Sequence, residues 1–220
     1  MIKAIIYDMD DLMVNSDPLH IVAWENILQN FNKKFTDIPE EIRSKFIGMR
    51  VIDISKSIIE ILHLNTDLES FYNERIHIFL DLVKNDLEEM PGLIDSLQLF
   101  KSHNFKIAIA SSGAKKYIDL VLDKFDIRKY FDVIISGDCV SIGKPHPETY
   151  LVASEKLGLN PRECVVLEDA TNGIEAAIQA GCKCIAIINT NTVPQNYSKA
   201  NLVLNSLNDI TLENIDSLNI

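Results

Sequence analysis

Six short apolar runs punctuate the chain, at residues 2–7, 106–110, 132–136, 164–167, 184–188 and 202–204. They are continuous rather than alternating and rich in Ile, Val and Ala, the pattern of strands buried on both faces of a parallel sheet, although periodicity alone also admits short buried helices. Helical patterns lie between them. KKYIDLVLDKF sets Tyr117, Leu120, Val121 and Phe125 on one face, and PETYLVASEKLGL sets Tyr150, Leu151, Ala153 and Leu157 before a stop at Gly158. GIEAAIQAG is a small-residue helix suited to close packing on a sheet, with Gly181 as its C-terminal cap. Strand–helix–strand repetition with right-handed crossovers predicts an α/β fold, a Rossmann-like three-layer sandwich around a parallel sheet. The tail from Asn201 reads as a last short strand and a weak helix.

One stretch breaks the alternation. Residues 16–84 contain no strand pattern, only the helical periodicities HIVAWENILQNF, IDISKSIIEILHL and FYNERIHIFLDLV. The expected organisation is therefore a core domain of residues 1–15 and 85–220 with an inserted helical cap domain of residues 16–84. The joints near Val14–Pro18 and Val83–Pro91 are turn-prone and suit hinges.

With 220 residues, 47% hydrophobic and 24% charged, the chain suits one α/β domain with a large insertion, or two small domains. A formal net charge of -11 disfavours nucleic acid and anionic membrane as partners but leaves a small anion open. The first apolar run is too short for a secretory leader and runs into Asp8, Asp10 and Asp11. Cys164, Cys182 and Cys184 fall in or beside strands, as core thiols of a reducing cytoplasm would. A monomer is expected, since a capped site needs no second subunit.

The chemistry lies at the carboxyl ends of the strands, where open α/β sheets bind ligands. Asp8 and Asp10 end the first run, Ser111 the second, Gly143-Lys144-Pro145 follows the third, and Glu168-Asp169 ends the fourth. A carboxylate such as Asp8 can attack phosphorus and form an aspartyl-phosphate, while a second acid two residues on, Asp10, exchanges a proton with the departing oxygen and then with water. Two acids sharing a small space with a phosphate call for a hard, oxygen-liganded cation, and Mg2+ suits it; Glu168 and Asp169 add carboxylates. The Lys144 ammonium can balance the phosphoryl oxygens, and Ser111 with the backbone N–H groups of Ser112 and Gly113 offers a phosphate cradle. Each element alone is commonplace; the set, in this order, is specific.

The segments DMDDLMVNS, IASSG, GKPHPETYLVASEKLGL and VLEDATNGIEAAIQAG resemble the four signature motifs of the haloacid dehalogenase-like hydrolases, and within them the phosphatase and β-phosphoglucomutase branch with a helical cap. The resemblance covers nearly the whole chain. It implies Asp8 as nucleophile, Asp10 as general acid/base whose backbone carbonyl also binds Mg2+, Ser111 and Lys144 on the phosphoryl group, Asp169 as metal ligand and Glu168 in the metal shell. Two positions depart from the pattern: Asp11 replaces the usual glycine, and Asn15-Ser16 the usual Asp-Ser.

Substrate choice falls to the cap. His20 and Trp24, four apart on one helix face, match a pairing found in sugar-phosphate members; Lys45, Arg50 and Arg75 are candidates for a second anionic group, and His146 is a candidate helix cap. The expected activity is Mg2+-dependent hydrolysis of a small phosphorylated metabolite, a sugar phosphate. A phosphosugar mutase is the nearest alternative. A dehalogenase would not need the metal-binding acids, and a phospho-accepting receiver domain would be roughly half as long with its acceptor in mid-chain.

Overall fold

The computed structural model describes residues 1–219. All six apolar runs are strands: β1 (Ala4–Tyr7), β2 (Lys106–Ala110), β3 (Val133–Ile135), β4 (Cys164–Glu168), β5 (Lys183–Ile187) and β6 (Leu202–Leu204). They pair in parallel in the order β3-β2-β1-β4-β5-β6, with Ile6 opposite Ala108 on one side and Val166 on the other. Strand order therefore reverses between the central neighbours β1 and β4, and that switch point is where a crevice opens at the carboxyl edge of such a sheet.

Helices α1 (Asp17–Gln29), α2 (Glu40–Arg43), α3 (Val51–Leu62) and α4 (Leu68–Asp86) follow β1, and α5 (Leu93–Ser102) leads into β2. The remaining connections carry α6 (Lys115–Lys124), α7 (Glu148–Leu157) and α8 (Thr171–Ala180), and α9 (Leu212–Ser217) follows β6. Because successive strand residues point to opposite faces, the sheet has two cores. Ile5, Tyr7 and Ile109 pack with Leu97 and Phe100 of α5 and Ile118 and Val121 of α6. Ala4, Ile6 and Ala108 face Tyr150 and Ala153 of α7 and Ile174 and Ala177 of α8. The expected stops are in place: Gly158 and Gly181 adopt left-handed backbone, φ 71° and 86°, and close α7 and α8.

The helical segment after β1 has its own core, built on Trp24, Ile27, Ile54, Ile58 and Phe71. Ala23 of α1 and Phe79 and Val83 of α4 instead join the sheet-side core, so α1 and α4 tie the segment to the sheet. Helix α4 runs to Asp86, past the turn expected from Val83. Val83 is fully buried, and Lys124 Nζ donates to the Val83 and Lys84 carbonyls at 2.9 and 3.0 Å, satisfying the end of the helix. The two linkers lie side by side: Asn15 N–H donates to Glu88 O and Met90 N–H to Met13 O, both at 2.9 Å. Among the described residues, no helix is long and apolar enough to cross a membrane.

Candidate active site

The strand ends converge. Asp8 N–H donates to Leu167 O at 3.0 Å, extending the β1–β4 ladder by one residue and setting Asp8 beside Glu168 and Asp169. One carboxylate oxygen from each of these three acids lies within 4.8 Å of the others, and all three residues are buried. The Lys144 ammonium donates to Asp8 Oδ1 at 2.5 Å and to Glu168 Oε1 at 2.7 Å. Burial works against that ammonium, but Asp8 and Glu168 outweigh it and hold its pKa above the usual lysine value.

Glu168 is fully committed. Its Oε1 also accepts from Tyr150 OH at 2.6 Å, and Oε2 accepts the Asp169 and Ala170 backbone N–H groups at 3.0 Å. Four donors on one carboxylate use its acceptor sites, so this side chain fixes Lys144 and the start of α8. Gly173 leaves it room: a Cβ there would lie 1.6 Å from Glu168 Oε1.

Asp169 is the opposite case. Both of its carboxylate oxygens are buried with no hydrogen-bond partner among the described residues. Burial and the neighbouring Glu168 push its pKa well above the usual value, and burial likewise raises Asp8 against the pull of Lys144. Three buried acids outnumber the one ammonium, so the pocket either keeps acids protonated or takes up a cation. The orphaned Asp169 oxygens facing Asp8 fit a hard divalent cation.

The Asp10 carboxylate lies outside this cluster, so as a metal ligand Asp10 has its backbone carbonyl to offer, not its side chain. That side chain turns toward the helical segment. Its Oδ1 accepts from Ser16 Oγ and Tyr117 OH, both at 2.8 Å, and faces His20 Nε2 at 3.5 Å; Ser111 Oγ donates to Oδ2 at 3.4 Å. Burial would raise its pKa, but His20, Tyr117 and Ser16 together hold it below the usual aspartate value.

Asp11 accounts for itself. It sits at φ 60°, so the left-handed turn is kept without glycine. Its Oδ1 accepts the Ser16 and Asp17 backbone N–H groups at 3.0 and 2.8 Å, capping α1 from outside the helix.

The phosphate cradle is smaller than its sequence implied. Gly113 N–H is spent on Ser111 Oγ at 2.9 Å, and the Ser112 hydroxyl donates to Gly48 O at 2.8 Å, across to the helical segment. Of this cradle, Ser111 Oγ and the Ser112 backbone remain. His146 Nδ1 accepts Glu148 N–H at 3.3 Å at the start of α7, as a cap would.

A cavity of about 200 Å³ separates the strand ends from the helices. Asp8, Asp10, Asp169 and Tyr117 form its floor; His20, Trp24, Phe35 and Phe46 are in its roof. Lys45, Arg50 and Arg75, the candidates for a second anionic group, do not line it. Lys45 is exposed and offers its carbonyl to Asn172. Arg50 pairs with Asp53 and donates to Val140 O at 3.0 Å, clamping the helical segment onto the loop before Lys144. Arg75 lies fully buried behind the cavity wall, its guanidinium 4.2 Å from the Trp24 ring centroid, and donates from Nη2 to His20 Nδ1 at 2.5 Å. A guanidinium can only donate, so Nδ1 is the acceptor and His20 presents Nε2–H to Asp10. Burial and Arg75 lower the His20 pKa, and burial brings Arg75 down to about 9, still cationic at neutral pH. Among the described residues, the Lys or Arg that does line the roof is Arg43, whose Nε donates to Ile38 O at 3.0 Å. As a single charge in the four-residue helix α2 it carried no periodic signal in the sequence.

The sequence profile of the haloacid dehalogenase-like hydrolases matches residues 5–187, and the chain belongs to that family. A phosphorylated carbohydrates phosphatase of Thermotoga maritima is 33% identical over 183 residues, covering 81% of this chain and 82% of the relative. Fructose-1-phosphate phosphatase YqaB of Escherichia coli is 27% identical over 183 residues, covering 83% and 95% of the two chains. Among solved structures, the β-phosphoglucomutase of Clostridium difficile superposes with a TM-score of 0.85 at 27% identity, covering 99% of this chain and 97% of that one.

Proposed function

We propose that the protein is a Mg2+-dependent phosphatase that hydrolyses a sugar phosphate through an aspartyl-phosphate on Asp8. The observation that carries this reading is the buried cluster in which Asp8 touches Lys144 while both oxygens of neighbouring Asp169 lack a partner. The kinship with phosphatases of phosphorylated carbohydrates supports it.

Asp8 attacks phosphorus, and the P–O bond to the leaving group breaks. The anionic phosphate beside Asp10 favours its protonated form, and Asp10 delivers that proton to the leaving oxygen, so an alcohol departs. Water then attacks the acyl phosphate, Asp10 takes the proton back, and inorganic phosphate leaves with the Asp8 carboxylate restored. Lys144 and Ser111 hold the phosphoryl oxygens, and Glu168 keeps Lys144 on target. Asp8, Asp169 and the Asp10 carbonyl are the groups that would hold Mg2+, which supplies positive charge to the transferring phosphoryl group. Residues 16–84 act as the cap, and His20, Trp24 and Arg43 in the cavity roof read the leaving group.

The β-phosphoglucomutase resemblance favours a second reading, a phosphosugar mutase, for which Arg43 would receive the second phosphate. Phosphate release across a panel of phosphorylated metabolites tests both. Hydrolysis of sugar phosphates with Mg2+ is the expected result. Isomerisation of a sugar monophosphate in the presence of its bisphosphate, without net phosphate release, favours the mutase instead.

A further inference from the structure

We propose that Tyr117 is a positioning residue that holds the Asp10 carboxylate by Oδ1 and leaves Oδ2 to meet the reacting oxygens. The inference rests on the phosphatase reading above. In sequence Tyr117 is one apolar position of α6, in register with Leu120 and Val121. In the fold its ring is buried and its hydroxyl lies 2.8 Å from Asp10 Oδ1.

The distribution of donors on Asp10 is lopsided. Oδ1 accepts two short hydrogen bonds, from Ser16 Oγ and Tyr117 OH, and faces His20 Nε2 at 3.5 Å. A carboxylate oxygen has two acceptor sites, so Oδ1 is full. Among the described residues Oδ2 meets only Ser111 Oγ, at 3.4 Å. Ser111 directly follows β2, the strand beside β1, so the open oxygen lies on the side of the strand ends. Proton exchange with the leaving oxygen, and later with water, therefore runs through Oδ2.

The three Oδ1 contacts come from different places. Ser16 sits in the linker and His20 on α1, while Tyr117 reaches in from α6 of the sheet layer. Tyr117 thus anchors the carboxylate from the core side. Its ring meets Phe79 of α4 edge-on, with centroids 4.8 Å apart at 67°. Gly113 makes room for the ring: a Cβ there would stand 2.9 Å from Tyr117 Cδ1.

The test is Tyr117→Phe, which removes only the hydroxyl and keeps the packing, so an unchanged Tm certifies the fold. With an alkyl phosphate, kcat should fall about ten- to a hundred-fold, the scale of one hydrogen bond to a charged group, and KM should stay within about two-fold. With p-nitrophenyl phosphate the departing nitrophenolate needs no proton. Its stopped-flow release in the first turnover should keep the wild-type rate constant while steady turnover slows, because water attack still needs Asp10. A merely structural role would slow both steps together or lower Tm, and either result overturns the proposal, as does wild-type kcat on the alkyl ester. If the wild-type enzyme releases phosphate from neither ester, the phosphatase reading fails first and takes this inference with it.

Discussion

The Lys144 ammonium lies 2.5 Å from the Asp8 carboxylate, though 136 residues separate them in sequence. It is the one cation among three buried acids, and removing it strands their charge. Lys144→Ala should lower phosphate turnover at least about a hundred-fold. It should also destabilise the cation-free protein by about 3–5 kcal/mol, the cost of breaking a buried ion pair. Chemical denaturation beside a phosphate-release assay checks both, and wild-type values in either would be contrary.

Removing divalent cation should matter more as pH rises. Asp8 and Asp169 have raised pKa values in the folded protein, and burial with Asp10 and Asp17 brings Asp11 up to about 8. Raising the pH above the ordinary aspartate value of 3.8 ionises the unfolded chain first, so the cation-free fold loses stability from there up to about pH 8. A bound cation favours ionised Asp8 and Asp169 and offsets their share of that loss. The Tm gap between Mg2+-loaded and EDTA-treated protein should therefore be small at pH 5 and larger at pH 8. A gap that shrinks with pH would contradict the assignment of Asp8 and Asp169 to a metal.

Arg75 should separate activity from stability. Its Nε and Nη1 are buried without partners, while Nη2 holds His20. Arg75→Met keeps the contact with Trp24 and removes a costly buried charge, so Tm should not fall. Turnover should drop about ten-fold as His20 loses its fixed tautomer in front of Asp10. The His20 pKa, followed by NMR, should rise, because Arg75 no longer depresses it. A fallen Tm with unchanged kcat would mean that Arg75 only packs.

Asn172 ties the helical segment to the sheet: its Nδ2 donates to Lys45 O at 3.0 Å and Ile47 O at 2.7 Å. At about 1 kcal/mol per hydrogen bond, Asn172→Ala should weaken closure over the substrate by about ten-fold or more. Steady-state kinetics should register this as a raised KM with kcat held within about three-fold. A change confined to kcat would place Asn172 in the chemistry instead.

The residues legible in the sequence were those whose position follows from a strand. Asp8, Ser111, Glu168 and Asp169 each end a continuous apolar run, and parallel pairing of those runs suffices to gather them. Residues whose role depends on how helices dock were not legible. Arg75 had the same local pattern as a solvated helical cation and lies fully buried, while Arg43, in a shorter helix, lines the cavity. Tyr117 fits an apolar stripe, and only its hydroxyl, on which periodicity says nothing, connects it to Asp10. Asp11 departed from the family pattern because its carboxylate caps α1, a contact five to six residues away that no helical or strand period encodes.

The proposed activity depends on an aspartyl-phosphate forming on Asp8. Asp8→Asn is nearly isosteric, so Tm and far-UV circular dichroism should match the wild type. Phosphate release from whichever sugar phosphate the wild type hydrolyses with Mg2+ should be abolished. Phosphate release by the folded Asp8→Asn protein at a rate near that of the wild type would contradict an aspartyl-phosphate on Asp8.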